Sequence, residues 1–433
     1  MEVLLGVSMD TDMLLPRPPH SRVLIVGASA RAAAESAANA GFDVVALDTF
    51  ADLDQHPAVQ MPISHPEGAP CGAGSAARLA MSLRADAAVY LSGFENHPRS
   101  VARLARGRRL WGNPPSVLRQ VRDPFVVADC LRARGFSLPA LLRAQDAGKA
   151  DAAARWLVKP IASGGGRRVR AWDANLAPTS VSSPMRRTLG HAPRVVPGDC
   201  YLQAFVEGTP GSLAFVAAGG GVVPIGLSRQ LVGERAFGAS GYRYCGSILA
   251  PLPLQHGADA HNTLLARATA LAGALAQAFG LVGVNGIDFI ARDDVPHLIE
   301  VNPRWCASME LVERAYGLSV FAAHADACVS RRLPAFDVAK AAAGTPVLGK
   351  AVGKAVGKAI VFATSGVTVG DSRLWLGDAN VRDVPRPGTR IRARQPICTV
   401  FASAADDAAC HAALVQRADD IYARVAAWRR RAA

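Results

Sequence analysis

The stretch His297-Leu-Ile-Glu-Val-Asn-Pro-Arg-Trp305 places Glu300, Asn302 and Arg304 at every second position. In an extended strand successive side chains point to opposite faces, so these three share one face while Ile299, Val301 and Pro303 share the other. A carboxylate, an amide and a guanidinium in file have the chemistry of a site. Upstream, the run NGIDFI puts Asp288 twelve positions before Glu300. If 287–291 and 297–302 pair as a hairpin through the polar turn RDDVP, the two carboxylates come side by side. Adjacent buried carboxylates repel each other, which is costly unless a cation lies between them. Oxygen ligands with room for phosphate oxygens suit Mg²⁺ (or Mn²⁺), which takes few ligands from protein and the rest from water and nucleotide. Asp288, Glu300 and Asn302 are therefore the expected metal ligands. The competing reading, an ion pair of the acids with Arg304 that merely stabilises the sheet, leaves Asn302 unexplained.

A second stretch, RWLVKPIASGGGRRVRAW, ends the apolar strand Trp156–Pro160 with Lys159. A small-residue loop follows with consecutive glycines Gly164, Gly165 and Gly166, and then a strand, RRVRAW. Glycines let backbone N–H groups approach a phosphate closely, and a nearby lysine supplies a point charge. A glycine hairpin without ligand is the alternative, but the lysine beside it favours phosphate. Because Lys159 precedes the glycines and no GK[ST] follows, a P-loop nucleotidase is disfavoured.

Several elements must position these residues. With 433 residues and 50% hydrophobic composition the chain can bury several cores. RVLIVGASARAAAESAANAGFDVVALD reads as buried strand, turn, Ala-rich helix and second strand, the opening of a doubly wound α/β domain. Its Gly27-Ala28-Ser29-Ala30 turn lacks the full GxGxxG fingerprint, so a tight structural turn is favoured over a dinucleotide site. Asp48 either meets a ribose or begins a loop. We expect a tail at 1–20, a Rossmann-like domain at 21–112, a central domain at 113–330, a linker at 331–358 and a small α/β module at 359–433. The segment 200–233 reads as short strands with Gly-rich turns, 232–249 as a loop framing a pocket, 262–279 as a helix, and roughly 410–429 as a final amphipathic helix. Within 331–358 the GK repeat would align Lys350, Lys354 and Lys358 if helical, but its glycines argue for a flexible or irregular segment.

Bulk composition narrows the class. The formal charge is +13, yet basic residues are scattered among acids with no aromatic-interleaved stripe, so no nucleic-acid partner is expected. Eight cysteines without a CxxC pair suggest buried thiols in a reducing cytoplasm. Glu2, Asp10 and Asp12 argue against a secretory signal, and the Ala-rich 262–282, broken by Arg267 and Gln277, reads as a packed helix rather than a membrane span.

Together, LVKPIASGGG, YLQAFVEG and GVNGIDFI…HLIEVNPR resemble the ATP-grasp superfamily over about residues 20–330, with three motifs in the expected order. The resemblance implies an α/β ATP-grasp fold and an enzyme that uses ATP to phosphorylate a carboxylate, giving an acyl phosphate that an amine attacks. Lys159 then matches the lysine on ATP phosphate, and Gly164–Gly166 the loop closing over it. Gln203 and the backbone of Phe205 and Val206 match the adenine hinge, with Glu207 near the ribose. Asp288, Glu300 and Asn302 match the magnesium ligands, and Arg304 the arginine that steadies the transferred group. Relatives usually carry a further lysine near 122–124; Arg122 keeps the charge there. The usual acidic ribose contact after Glu207 is not evident. RQLVGERAFGASGYRYCGSI and PGTRIRARQPICTVFA resemble a subgroup of methylotrophic bacteria linked to tetrahydromethanopterin- and methanofuran-dependent one-carbon metabolism, which implies addition of glutamate or a related amino acid to a coenzyme precursor. A biotin-carboxylase-like carboxylation and a non-catalytic nucleotide-binding protein are the competing functions, and a homodimer is compatible with all three.

Overall fold

The computed structural model describes residues 21–61, 72–172, 196–250, 257–342 and 355–432, the side chains of 257–261 and 429–432 excepted. The first unit comprises β1 (Arg22–Gly27), α1 (Arg31–Asn39), β2 (Asp43–Asp48), β3 (Val59–Gln60), α2 (Ala73–Leu79), β4 (Ala87–Tyr90), α3 (Pro98–Leu104) and β5 (Arg109–Leu110). Its strands form a parallel sheet in the order β3-β2-β1-β4-β5. β1 is central and reads as an unbroken apolar run because both faces are covered. Val23 and Ile25 enter one core cluster, Leu24 and Val26 another, as strand alternation requires. The small side chains of Ala33, Ala34 and Ala37 let α1 approach the sheet closely. At Gly27 an added Cβ would meet Leu91 Cβ at 2.5 Å, so only glycine ends this strand. Asp48 anchors the turn: it accepts from the backbone of Ala30, from Phe50 at 2.6 Å and from Ala51 at 3.0 Å, which is the loop-beginning role.

Two helices follow, α4 (Pro115–Val121) and α5 (Pro124–Arg132). Asp123 caps α5, accepting from Phe125 N–H at 2.9 Å and Val126 N–H at 3.3 Å, with Pro124 in the first turn where no donor is needed. A four-stranded antiparallel sheet comprises β6 (Leu141–Arg143), β7 (Trp156–Pro160), β8 (Arg170–Trp172) and β9 (Cys200–Ala204), ordered β6-β9-β7-β8. The strand expected over RRVRAW is confined to its last three residues. Positive φ at Gly165, Gly166 and Arg168 keeps the preceding segment in a turn.

The largest sheet begins with β10 (Thr209–Ala218), β11 (Gly221–Val232) and β12 (Tyr244–Leu249). After α6 (Gly257–Phe279) come β13 (Gly283–Arg292) and β14 (Val295–Asn302), then α7 (Met309–Tyr316), α8 (Val320–Ser330) and α9 (Val338–Ala342). The C-terminal part adds β15 (Ala355–Phe362), β16 (Val367–Thr368), β17 (Val381–Arg382), β18 (Arg390–Ile391), β19 (Pro396–Ala404) and α10 (Asp407–Ala432). The eight-stranded order is β14-β13-β10-β11-β12-β15-β19-β17, so the C-terminal module extends the central sheet through the β12–β15 pairing. Lys350 and Lys354 lie outside the described residues. Lys358, expected in an irregular segment, is in β15 and buried, because AVGKAIVF packs as an inner strand. Among the described residues no helix is long and apolar enough to cross a membrane, and seven cysteines are unpaired thiols.

Candidate active site

β13 and β14 are antiparallel and place Asp288 opposite Glu300, with a bulge just beyond Asp288. The expected hairpin is thus observed in register. Cross-strand partners have Cβ atoms about 5 Å apart, close enough for both carboxylates to act on one ion. Donors cover their oxygens in this structure. Gln230 Nε2 and Asn302 Nδ2 each donate to Asp288 at 2.9 Å, and Arg122 Nη1 donates to Glu300 Oε1 at 2.6 Å. Burial first, then repulsion from Glu300, pushes the Asp288 carboxyl up to about 6. That strain is what a divalent ion would relieve, and two carboxylates beside an amide suit Mg²⁺ or Mn²⁺.

Arg122 is the residue after α4, and the Asp123 cap turns the chain there so that its guanidinium faces inward. It donates to Ser163 O at 2.7 Å, Val301 O at 2.8 Å and Asn96 Oδ1 at 3.1 Å, besides Glu300. Lys159, on β7, donates to Gln203 Oε1 on the neighbouring β9 at 3.0 Å and to Ile299 O at 3.3 Å. The glycine loop packs on the start of β12 and the residues before it: Tyr244 N–H donates to Gly165 O at 3.2 Å. Gly166 has φ of +70°, and an added Cβ would lie 1.7 Å from Tyr242 O. Phe205 and Val206 border the same space, whereas Glu207 points to the surface and pairs with Arg155 at 2.9 Å.

Arg304 is buried beyond the end of β14. It donates to Asn302 Oδ1 at 2.9 Å and to Glu95 Oε1 through Nε at 2.9 Å, with Nη2 2.8 Å from the same oxygen. Although burial opposes its charge, Glu95 more than compensates and holds the guanidinium firmly protonated. Burial alone would raise Glu95, but Arg304 and then Arg122 hold its carboxyl below the usual range. Cys306 is a buried thiol, pushed by burial up to about 12, and so no nucleophile near neutral pH.

Except for Glu207 with its partner Arg155, and for Glu95 and Asn96, which reach it only through Arg304 and Arg122, these groups line one cavity of about 710 Å³. Its wall includes Ala28 and Ser29 after β1 and Leu91 and Ser92 after β4, the carboxyl ends of the two strands where the order of the first sheet reverses. Crevices at that point of doubly wound sheets are where ligands bind. Sequence reasoning missed Glu95, Asn96 and Gln230. The signal for the first two was the polar pair in SGFENHP, directly after a buried strand.

Residues 121–308 match the family model of the ATP-grasp domain, and the chain has the mixed α/β ATP-grasp fold. It is similar to the L-amino acid ligase from Bacillus licheniformis, with 15% identity, TM-score 0.62, and coverage of 93% of this chain and 98% of that one. It is similar also to the biotin carboxylase domain of the Hydrogenobacter thermophilus 2-oxoglutarate carboxylase, seen as a dimer with MgADP, ADP and bicarbonate, with 14% identity, TM-score 0.62, and coverage of 90% and 87%. N5-carboxyaminoimidazole synthetase from Staphylococcus aureus, complexed with ADP, gives 14% identity, TM-score 0.61, and coverage of 94% and 97%. Comparison with curated protein sequences finds no match.

Proposed function

We propose that this protein is an ADP-forming, ATP- and Mg²⁺-dependent ligase that joins a carboxylate to an amine through an acyl phosphate. The observation that carries this reading is the meeting of the in-register pair Asp288 and Glu300 with Arg122, Lys159 and Arg304 around one cavity. Mg²⁺ or Mn²⁺ would be held by Asp288 and Glu300 with Asn302 beside them, and would supply charge neutralisation on phosphate oxygens. Lys159 and Arg122 face the phosphates, and the glycine loop, closed on Tyr242 and Tyr244, keeps water from the acyl phosphate. Gln203, Phe205 and Val206 border the adenine, and Glu207 reaches the ribose if its pair with Arg155 opens. Arg304 steadies the substrate carboxylate while one of its oxygens bonds to the γ-phosphorus and ADP departs with the electrons of the broken P–O bond. The amine nitrogen then bonds to the acyl carbon, phosphate leaves, and the surplus proton passes to solvent. The domain division given above, a cytoplasmic setting, a homodimer and a glutamate-like substrate in one-carbon coenzyme synthesis belong to the same proposal.

The test is product identity. Purified protein with ATP, Mg²⁺ and pooled carboxylates and amines should release ADP and phosphate; AMP and pyrophosphate would sink the proposal. The similarity to biotin carboxylase favours bicarbonate as a second reading, which predicts ADP release dependent on bicarbonate and a biotin carrier alone. Silence across the whole panel, with MgADP still bound, would favour a non-catalytic nucleotide-binding protein.

A further inference from the structure

Arg122 does more than bring a positive charge to the phosphates. It commits four of its five N–H groups to protein: Nε donates to Asn96 Oδ1 at 3.1 Å, Nη1 to Glu300 Oε1 at 2.6 Å and to Val301 O at 2.8 Å, and Nη2 to Ser163 O at 2.7 Å. One N–H of Nη2 is left for a nucleotide oxygen. Asn96, in the turn between β4 and α3, uses its amide in both senses, since Nδ2 donates to the same Ser163 O at 3.2 Å. Ser163 directly precedes Gly164, and its hydroxyl donates to Arg167 O at 2.9 Å, which closes the loop on itself. The guanidinium thus joins the turn after β4, the root of the glycine loop, and β14 at Glu300.

Among the described residues, the loop's other polar ties to its surroundings are weaker. Tyr244 N–H to Gly165 O is a neutral bond, and Arg168 pairs with Asp199 at 3.0 Å where both side chains are well exposed, a setting in which an ion pair stabilises little. Arg122 by contrast has 11% of its side chain exposed, and bonds from a charged donor are the stronger kind. The loop needs such a hold, because Gly164, Gly165 and Gly166 have no side chains to anchor them and lose more conformational freedom on ordering than other residues. A lysine at this position would bring the same charge but three N–H groups on one nitrogen, which cannot meet four acceptors arranged around a planar fork. Charge alone does not account for Arg122; the shape of its guanidinium does.

We infer that Arg122 and Asn96 are positioning residues that latch the glycine loop onto β14, so that the lid over the phosphates is registered against the strand carrying Glu300. The loop opens when the bonds to Ser163 O break, and nucleotide enters and leaves in that open state. The latch takes Glu300 Oε1, which leaves Oε2 for the metal. An added Cβ at Gly164 would stand 3.9 Å from Glu95 Oε1, so the latched loop also lies beside the Glu95–Arg304 pair. The inference rests on the ligase reading for what the loop covers, and adds to it the residues that govern closure.

Limited digestion with trypsin tests the latch, since Arg167 and Arg168 are exposed on the loop and are cut in proportion to the fraction of open loop when opening and closing outpace cleavage. Without nucleotide, Arg122→Lys should be cut after Arg167 or Arg168 about tenfold or more faster than the unmodified protein, and Asn96→Ala about threefold or more, with cleavage elsewhere little changed. A fluorescent MgADP analogue should both enter and leave Arg122→Lys faster, its Kd changing less than about threefold, because a latch sets the frequency of opening and not the contacts made once shut. Loop cleavage at the unmodified rate in Arg122→Lys, an increase shared equally by sites elsewhere, or a faster release without faster entry would each overturn the inference. Failure of the unmodified protein to bind the analogue would instead remove the ligase reading, and the digestion would still decide whether the loop is latched. Should Arg122→Lys fail to fold, Asn96→Ala, which keeps the guanidinium, decides.

Discussion

Glu95→Gln is the sharpest perturbation of the site, because Glu95 touches Arg304 from a distant part of the chain. Glu95 is 1% exposed and Arg304 has 9% of its side chain exposed, so their ion pair is shielded from solvent. Removing one partner of such a pair outright costs about 3–5 kcal/mol, since the remaining charge stays buried. The amide keeps an acceptor at the position of Oε1, which converts charge-assisted bonds of roughly 1.5–3 kcal/mol into neutral ones of roughly 0.5–1.5, but its NH2 then faces the Gly93 N–H that donates to Oε2 at 2.6 Å, and that bond is lost as well. We expect Glu95→Gln to lose about 2–3 kcal/mol by urea denaturation and Glu95→Ala about 3–5. ADP release by Glu95→Gln should fall about a hundredfold with the KM for ATP little changed, because a guanidinium freed from its partner no longer holds one orientation. The decisive assay is a double-mutant cycle with Arg304→Met, in which a coupling well above about 0.5 kcal/mol is expected. If the two stability losses simply add within that margin, Glu95 does not position Arg304 and the reasoning fails.

Glu300→Ala should abolish most of the rise in melting temperature that MgADP gives the unmodified protein, since it removes one carboxylate of the pair; an undiminished shift would dissociate metal from this hairpin. Gly166→Ala should raise the KM for ATP at least about tenfold with little change in melting temperature, because a left-handed φ costs about 1–2 kcal/mol and the new methyl would displace the loop from Tyr242. His324 is buried and its Nδ1 accepts from Val284 N–H at 3.0 Å; burial holds the ring down to about 4. Between pH 6.5 and 4 the unfolded chain therefore takes up a proton that the folded one refuses, so this contribution is complete above about 6.5 and falls by roughly 3 kcal/mol as pH drops to 4. Glu313, pushed by burial up to about 7, acts in the opposite sense: its contribution is complete below about 4.5 and is lost as pH rises to 7. The difference in urea midpoint between the unmodified protein and His324→Leu, followed from pH 7 to 5, isolates the histidine, and a pH-independent difference would refute it.

The amino-acid sequence by itself determined those parts of the site that are confined to one element or to neighbouring ones. Asp288 and Glu300 belong to one hairpin, so a period of two and a short turn were enough to bring them into register. Lys159 and the glycines were legible for the same reason, since a strand end and the loop after it are local chemistry. Arg122 could be read as a positive charge, but only the Asp123 cap and the packing of α4 show that it grips Glu300 across 178 positions. Tertiary structure alone decided that Glu95 meets Arg304 across 209 positions and that Arg31 meets Asp383 across 352. Such contacts follow no periodicity, because they depend on which strand ends and helix ends three separately formed layers turn toward a common cavity. Lys358 shows the limit most plainly: the glycine–lysine repeat masks the strand-forming Val356, Ile360, Val361 and Phe362 around it, and the segment is a strand because the edge of β12 offers it backbone partners and a buried face.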